Sequence, residues 1–380
     1  MTIPFNKPHL TGRETLYITK AVDNGHISGN GKFTKKCHAF FEKHYHFKKC
    51  LLTTSCTDAL EMCAILLNIK KGDEVIMPTF TFVSTANAFV LRGAKVVFCD
   101  SQIDNPNIDA DKIEELITKK TKAIVVVHYA GVACKMDKIM TIANKHNLFV
   151  VEDAAQAIDS YFNEKPLGGI GHLSAFSFHE TKNLIAGEGG MLVINDESLL
   201  ERAEIVWEKG TNRSAFFRGE IDKYNWVDIG SSFLPSEINA AFLYAQLMEM
   251  ENIQNKRKQI HEQYFKKLSQ SQNSLFKLPT LPHYATNNAH MFYLICKNQS
   301  VRNGLIDHLR NLDIQAVFHY LPLHKSPFIQ EITKTSPKNL KNAENFAGNI
   351  IRLPFYYQLQ NDQISLISKQ VLLYLNKFVW

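Results

Sequence analysis

Leu148-Phe149-Val150-Val151-Glu152-Asp153-Ala154-Ala155-Gln156 is an apolar run that ends in two acids. A strand with no polar alternation is buried on both faces, as strands of a parallel sheet are when helices cover them. Comparable runs stand upstream at Val75-Ile76-Met77, 95–98 and 123–127, and downstream at 174–178 and 191–194. Helical spacing appears between several of them, at 110–117 and 136–146, and in the run Leu60, Met62, Cys63, Leu66, Leu67 that follows 53–57. Thr11-Gly12-Arg13-Glu14 has the form of a capping box, which predicts a helix from there toward Val22. The pattern is that of an α/β fold with a mostly parallel central sheet.

The texture changes near Ser236. A long polar helix is expected to run through about Leu268, with Lys256-Arg257-Lys258 on a solvated face. After it come strands near 291–296 and 314–318, a helix near 301–312 and a terminal helix near 362–377. The reading is a large α/β domain over 1–250 and a small C-terminal α+β domain over 251–380, a size that suits 380 residues.

The charge balance, 43 − 37 = +6 with histidine neutral, is mild and spread along the chain, so nucleic acid is not an expected partner. Seven cysteines, an odd number without CxxC spacing, read as reduced thiols, and with no apolar leader after Met1 a cytoplasmic setting is expected. No uninterrupted apolar run is long enough for a membrane span. Several decoys fall away. Gly29-Asn30-Gly31-Lys32 fails the P-loop pattern, because His26 and Phe33 occupy required positions. Gly168-Gly169-Ile170-Gly171 is not a dinucleotide fingerprint. The histidine pairs 44/46 and 319/324 lack zinc spacing, and no metal is expected.

What remains is an ordered set. Ligands in open α/β sheets bind outside the carboxyl ends of the strands, which aims Asp153 at a site. Twenty-nine residues later, Ser177-Phe178-His179-Glu180-Thr181-Lys182-Asn183 carries a lysine off another buried strand, before Gly187-Glu188-Gly189-Gly190. Pyridoxal phosphate needs such a pair: a lysine for its aldehyde and an acid for its ring nitrogen. Thr54-Ser55-Cys56-Thr57 stands before a predicted helix, whose free N–H groups suit a phosphate, and Ser177 is a second candidate. Phe82, after the next strand, offers an aromatic face. Each item alone has a plainer reading, as a helix cap, a surface charge or a core ring. Their combination and order carry the argument.

With these residues in place, the chain resembles the DegT/DnrJ/EryC1/StrS family of sugar aminotransferases, which have the aspartate aminotransferase (type I) fold. The likeness runs from Pro4-Phe5-Asn6 to Leu353-Pro354. Its motifs are Gly72-Asp73-Glu74-Val75-Ile76, Thr81-Phe82-Val83-Ser84-Thr85, Glu152-Asp153-Ala154-Ala155-Gln156, Ser177 through Asn183, and Tyr320-Leu321-Pro322-Leu323-His324. The resemblance implies that Lys182 binds pyridoxal 5'-phosphate covalently and that Asp153 pairs with the ring nitrogen. It places Gln156 near the phenolic oxygen, Phe82 on the ring, and Cys56, Thr57 and Ser177 on the phosphate. It also implies a homodimer with shared active sites. Ser232, in Gly230-Ser231-Ser232-Phe233-Leu234, replaces the Asn of a G-Y-N-Y-R segment that reaches into the neighbouring subunit. His179, Tyr320, His324, Arg213 and Arg218 are the substrate-side candidates, the arginines for a nucleotide diphosphate.

Segments 84–94, 128–134, 210–214 and 228–232 are similar to those of the subgroup that moves the amine of glutamate to C4 of dTDP-4-dehydro-6-deoxyglucose. That subgroup makes dTDP-4-amino-4,6-dideoxygalactose for surface polysaccharide such as enterobacterial common antigen. Related chemistries put the amine at C3 or equatorially at C4. Dehydratase relatives carry His in place of the lysine, and Lys182 speaks against them. A non-catalytic cofactor-binding protein is the reading from another class.

Overall fold

The computed structural model describes residues 2–271, 274–332 and 339–376. Its main sheet uses β1 (Lys49–Thr53), β2 (Glu74–Pro78), β3 (Lys95–Cys99), β4 (Thr121–Val127) and β5 (Phe149–Asp153). A separate ribbon of β6 (Tyr161–Phe162) and β7 (Lys165–Pro166) follows, and then β8 (Leu173–Ser177) and β9 (Gly190–Ile194) complete the main sheet. The order is β1-β9-β8-β5-β4-β2-β3. Strands β3, β2, β4, β5 and β8 pair in parallel, and β9 runs against both its neighbours. The expected mostly parallel α/β sheet, in the type I fold, is what forms.

The missing polar alternation has a direct cause. Val150 packs into the core on one face with Ile76, Ile124, Phe176 and Met191. Its neighbour Val151 packs on the other face with Val75, Val125, Leu173 and Leu192. Successive side chains point to opposite faces, so a sheet covered on both sides must be apolar at every position. A second, antiparallel sheet joins β10 (Phe276–Lys277), β11 (Tyr293–Cys296), β12 (Val317–Phe318) and β13 (Ile350–Arg352) in the order β10-β11-β13-β12. It shares its core with the helices Met250–Leu268, Gln299–Arg310 and Asn361–Asn376.

Three local expectations are corrected. The first helix starts at Glu14 and not after Thr11. Glu14 does reach back to accept the Thr11 and Gly12 N–H groups, but Gly12 turns the chain at φ +86°, and the Thr11 hydroxyl accepts from Arg13 instead. The stretch 110–117 forms two short 3-10 turns, Ala110–Lys112 and Glu114–Leu116. Asp109 caps the first turn, and Ile117 is already extended before the turn made by Thr118 and Thr121, so an α-helix has no length to grow. The long polar helix is two helices, Glu237–Met248 and Met250–Leu268, which break at Glu249 (φ −114°, ψ 13°). The first is alanine-rich and largely buried, because it packs against the two N-terminal helices. The terminal helix spans Asn361–Asn376, and the expected end at Lys377 lies outside the described residues.

Candidate active site

The reversed strand β9 builds the site edge. Its first residue, Gly190, pairs with Thr53 at the end of β1 and with Ser177 at the end of β8. Asp153 closes β5, one strand further on, in register with Ala175. Chain ends from β1, β8 and β5 therefore converge at one rim, which the loops after β2 and β4 extend. A Cβ on Gly190 would strike the Ser55–Cys56 backbone, so glycine is needed for that approach. The helix Cys56–Leu66 begins at this point, with Ser55 capping it by accepting from the Asp58 N–H. The first N–H groups, of Cys56 and Thr57, have no partner within the helix, and the positive dipole end faces the rim. The Thr57 hydroxyl donates to Ser84 at 2.8 Å. Burial pushes the Cys56 thiol well up, which keeps it a thiol.

Asp153 is buried and accepts from the Thr85 hydroxyl at 2.6 Å and from the Ala155 N–H at 3.2 Å. Burial raises its pKa, against the pull of those bonds and of Lys182. Lys182 is half-buried; its backbone N–H donates to the His179 carbonyl, and its amine makes no hydrogen bond or ion pair among the described residues. Burial holds its amine below the ordinary lysine range, Arg352 adds to that, and Cys56 and Asp153 oppose it. Lysine and aspartate lie within reach of each other's charge, with no bond between them among the described residues. Asn183, next to the lysine, is fixed by Gln254, by the Asn288 carbonyl and by His290 Nδ1 at 2.8 Å.

Phe82 stands at the mouth, 55% exposed, with its ring centroid 6.2 Å from that of Tyr320. Gln156 is a clamp. Its Oε1 accepts from Ala130 N–H at 2.6 Å and its Nε2 donates to the Tyr320 hydroxyl at 3.1 Å. Ala130 and Tyr320 both sit at positive φ, 56° and 44°, where side chains other than glycine are rare. Ser177 Oγ accepts from the His179 N–H.

A ring with an aldehyde, a basic nitrogen and a phosphate fits this donor set. It meets an unpartnered amine, a buried carboxylate, an exposed aromatic face and a helix N-terminus with free donors. A lysine and a buried aspartate brought to one rim by the ends of β8 and β5 define the class of fold type I pyridoxal-phosphate enzymes.

The sequence profile of the DegT/DnrJ/EryC1/StrS aminotransferase family matches residues 8–372, and the chain belongs to that family. It is 31% identical over 373 residues to GDP-perosamine synthase of Escherichia coli O157:H7, covering 97% of each chain. Among solved structures it matches Helicobacter pylori PseC, an aminotransferase involved in the biosynthesis of pseudoaminic acid. The TM-score there is 0.90 at 26% identity, over 100% of both chains. It also matches the PLP form of Spr1654 from Streptococcus pneumoniae, with a TM-score of 0.91 at 25% identity over 99% of each. The protein is a sugar aminotransferase with pyridoxal phosphate as cofactor. The relative named by its product is a GDP-sugar enzyme, so the dTDP sugar expected above is not the substrate that this comparison singles out.

The other expected residues divide. Tyr320 is at the site. His324 is 5% exposed and joins the loop after β2 to the helix Lys341–Asn349, with Nδ1 at 2.8 Å from the Thr79 hydroxyl and Nε2 at 3.1 Å from Glu344. It is a structural bridge with no face open to a substrate. Arg218 is occupied by Glu204 and Glu220. Arg213 lies over the Phe217 ring and, with Ser232, Lys35 and Lys49, lines a separate cavity of about 820 Å³. His179 bonds to Thr181. Among the described residues no acid–histidine–cysteine cluster could hold a metal, and no helix is long and apolar enough to cross a membrane.

Sequence reading missed Thr85, although it lies in a quoted motif, and missed the work of Glu152. That carboxylate is fully buried and accepts from His128 Nε2 and from the N–H groups of Gly168, Ile170 and Gly171. Burial alone would raise its pKa, but His128 and the N–H groups hold it low. Its stabilisation is therefore present above the unfolded value near 4.3 and is lost as pH falls below it. Glu152→Gln sets an NH₂ against two donors and is expected to cost about 3–5 kcal/mol in urea unfolding at pH 7. A cost under about 1 kcal/mol would refute this account of the loop.

Proposed function

We propose that this chain transfers the amino group of glutamate to C4 of a nucleotide-linked 4-dehydro-6-deoxyhexose. The observation that carries the reading is the unpartnered Lys182 amine, which follows the end of β8, at the same rim as the buried Asp153 carboxylate that closes β5. When bound, pyridoxal phosphate supplies a ring that accepts electron pairs from the substrate carbon next to nitrogen. Lys182 would hold the cofactor through its amine and, with that amine free, would serve as the base that takes and returns a proton. Its lowered pKa suits both tasks. Asp153 keeps the ring nitrogen protonated, and Thr85 orients Asp153. Gln156 and Tyr320, bonded to each other, would flank the ring's phenolic oxygen. Cys56 and Thr57 hold the phosphate through backbone N–H groups, and Ser177 through its hydroxyl. Residues 1–250 form the cofactor-binding unit and 251–380 the small unit that closes over it.

A homodimer completes the site. Trp226 is 82% exposed, and Phe217 and Ile229 of the same segment are exposed with it, apolar side chains that a second copy would cover. Ser232 in the same region reaches the partner's phosphate site, and Arg213 meets the nucleotide diphosphate. His179 borders the donor side.

The preferred product is dTDP-4-amino-4,6-dideoxygalactose, destined for surface polysaccharide. A GDP-linked sugar is the second reading, favoured by the likeness to GDP-perosamine synthase. The test is NMR of the products formed from glutamate with dTDP- and GDP-linked 4-dehydro-6-deoxyhexoses. A small H3–H4 coupling in the dTDP product means axial nitrogen and the galactose series. A large one moves the product to the glucose series, and turnover of the GDP sugar alone selects the second reading. No amination of either sugar would sink the proposal.

A further inference from the structure

A small enclosed cavity lies between the segment after β8 and the N-terminal segment. Lys182 lines it, together with Asn6, His9, Gln246, Ile253 and Tyr357. None of Cys56, Phe82, Asp153 and Gln156 does, so the cavity meets the lysine from a side other than the cofactor rim. The space open to a water's centre is about 10 Å³, which is room for one water molecule. Asn6 Nδ2 donates to the Glu180 carbonyl at 3.5 Å, which draws the N-terminal segment over this point of the chain.

Gln246 supplies a polar partner that such a water needs. It is 1% exposed, and its Nε2 donates to the His9 carbonyl at 2.9 Å and to Glu14 Oε1 at 2.7 Å. Two acceptors on the nitrogen fix which way the amide points, so Oε1 is its free end. That oxygen is closed off from solvent and has no partner among the described residues. A buried acceptor without a donor is costly, and an internal water is the common remedy. Lys182, Asn6 and His9 bring further polar groups to the same small volume.

Beyond the cavity is an open groove of about 500 Å³. His9, Ile253 and Tyr357 line both spaces, so they are the wall between them. Ile253 is buried and apolar. The His9 ring stacks on Tyr357, with centroids 3.7 Å apart, and Gln358 Nε2 donates to its Nδ1 at 3.2 Å. An imidazole takes up and releases protons readily near neutral pH.

We propose that this cavity holds one ordered water on Gln246 Oε1, and that the water and His9 carry protons between the Lys182 amine and the groove. The proposal rests on the aminotransferase reading above. It adds the route by which the lysine exchanges with solvent while ligands fill the rim. After taking a proton from the α-carbon of the donor, the amine is an ammonium with three hydrogens. It gives one to the water and takes another back, so the charge is unchanged. The proton later returned to carbon then comes from solvent.

Two measurements test this. Crystals of the cofactor-free protein should show a water within hydrogen-bond distance of Gln246 Oε1. Cofactor-loaded full-length protein is then given glutamate deuterated at the α-carbon, and the deuterium carried into the aminated cofactor is read by mass spectrometry. Without exchange about one-third is carried over, because one ammonium hydrogen in three is the label. Wild type should lie well below that limit. His9→Phe keeps the stack on Tyr357, and Ile253→Met extends a side chain into the passage. Both are expected to raise the carry-over at least about threefold toward the limit. Gln259→Ala, an exposed position on the groove, should leave it at the wild-type value.

A cavity without that water, in crystals that resolve the waters around it, would overturn the proposal. So would wild-type carry-over already at about one-third. Slower turnover of both wall variants with unchanged carry-over would mean a structural role and overturn it too. A wild-type protein that binds the cofactor yet is not aminated by glutamate would sink the transaminase reading, and this proposal with it.

Discussion

Lys182→Ala is expected to lower kcat by about 10⁴-fold or more. The amine does two jobs in one place, holding the cofactor and moving the proton, and no neighbour can take over either. Asn183, His290 and Arg257 are engaged in their own bonds. Arg352 cannot act as a base at accessible pH. Stability should barely change, because the Lys182 side chain has no bond or ion pair to lose among the described residues. Deleting a buried, unpaired cation leaves unfolding within about 0.5 kcal/mol of wild type or slightly raises it. The measurement is steady-state turnover beside thermal unfolding of the same preparation. Turnover within tenfold of wild type would remove Lys182 from the chemistry.

Asp153→Asn should move activity and stability in opposite directions. Activity is expected to fall about 10²–10³-fold, since a neutral amide does not hold a proton on the ring nitrogen. The stability sign follows from the pKa. Burial is the largest influence on Asp153 and raises it, outweighing Thr85, the Ala155 N–H and Lys182. A carboxyl raised in the folded state contributes stability below the unfolded value, about 3.9, and loses it as pH rises through the folded pKa. At pH 7 the cofactor-free wild type carries that penalty and the asparagine variant does not. The variant's apoprotein should melt higher at pH 7 than wild type, and the difference should close toward pH 4. Cofactor addition should reverse the ranking. An apoprotein variant less stable than wild type at pH 7 would show that the carboxylate is held mainly by its bonds.

The sheet was readable from sequence because burial on both faces leaves its mark at every position, as in Val150 and Val151. Lys182 and Asp153 were readable because each ends such a strand, where ligands bind. The stretch 110–117 was not, since its helical spacing lasts barely two turns and the flanking Asp109 and Thr118 decide the backbone. Thr85 was not readable as a site residue. Its significance comes from meeting Asp153 across 68 residues of sequence, and periodicity carries no record of such a meeting. His324 misled for the same reason, because a motif histidine can turn inward, here to Thr79 and Glu344.

Gln156 holds Ala130 and Tyr320 in backbone conformations that neither would choose alone, at roughly 1–3 kcal/mol each. That expense is met when the chain folds and not when a ligand arrives. The two loops are thus preorganised, like a mould set before casting, so cofactor capture needs little further ordering of the chain. Gln156→Ala would let both loops relax, and the loss should then appear as slower cofactor association more than as faster release.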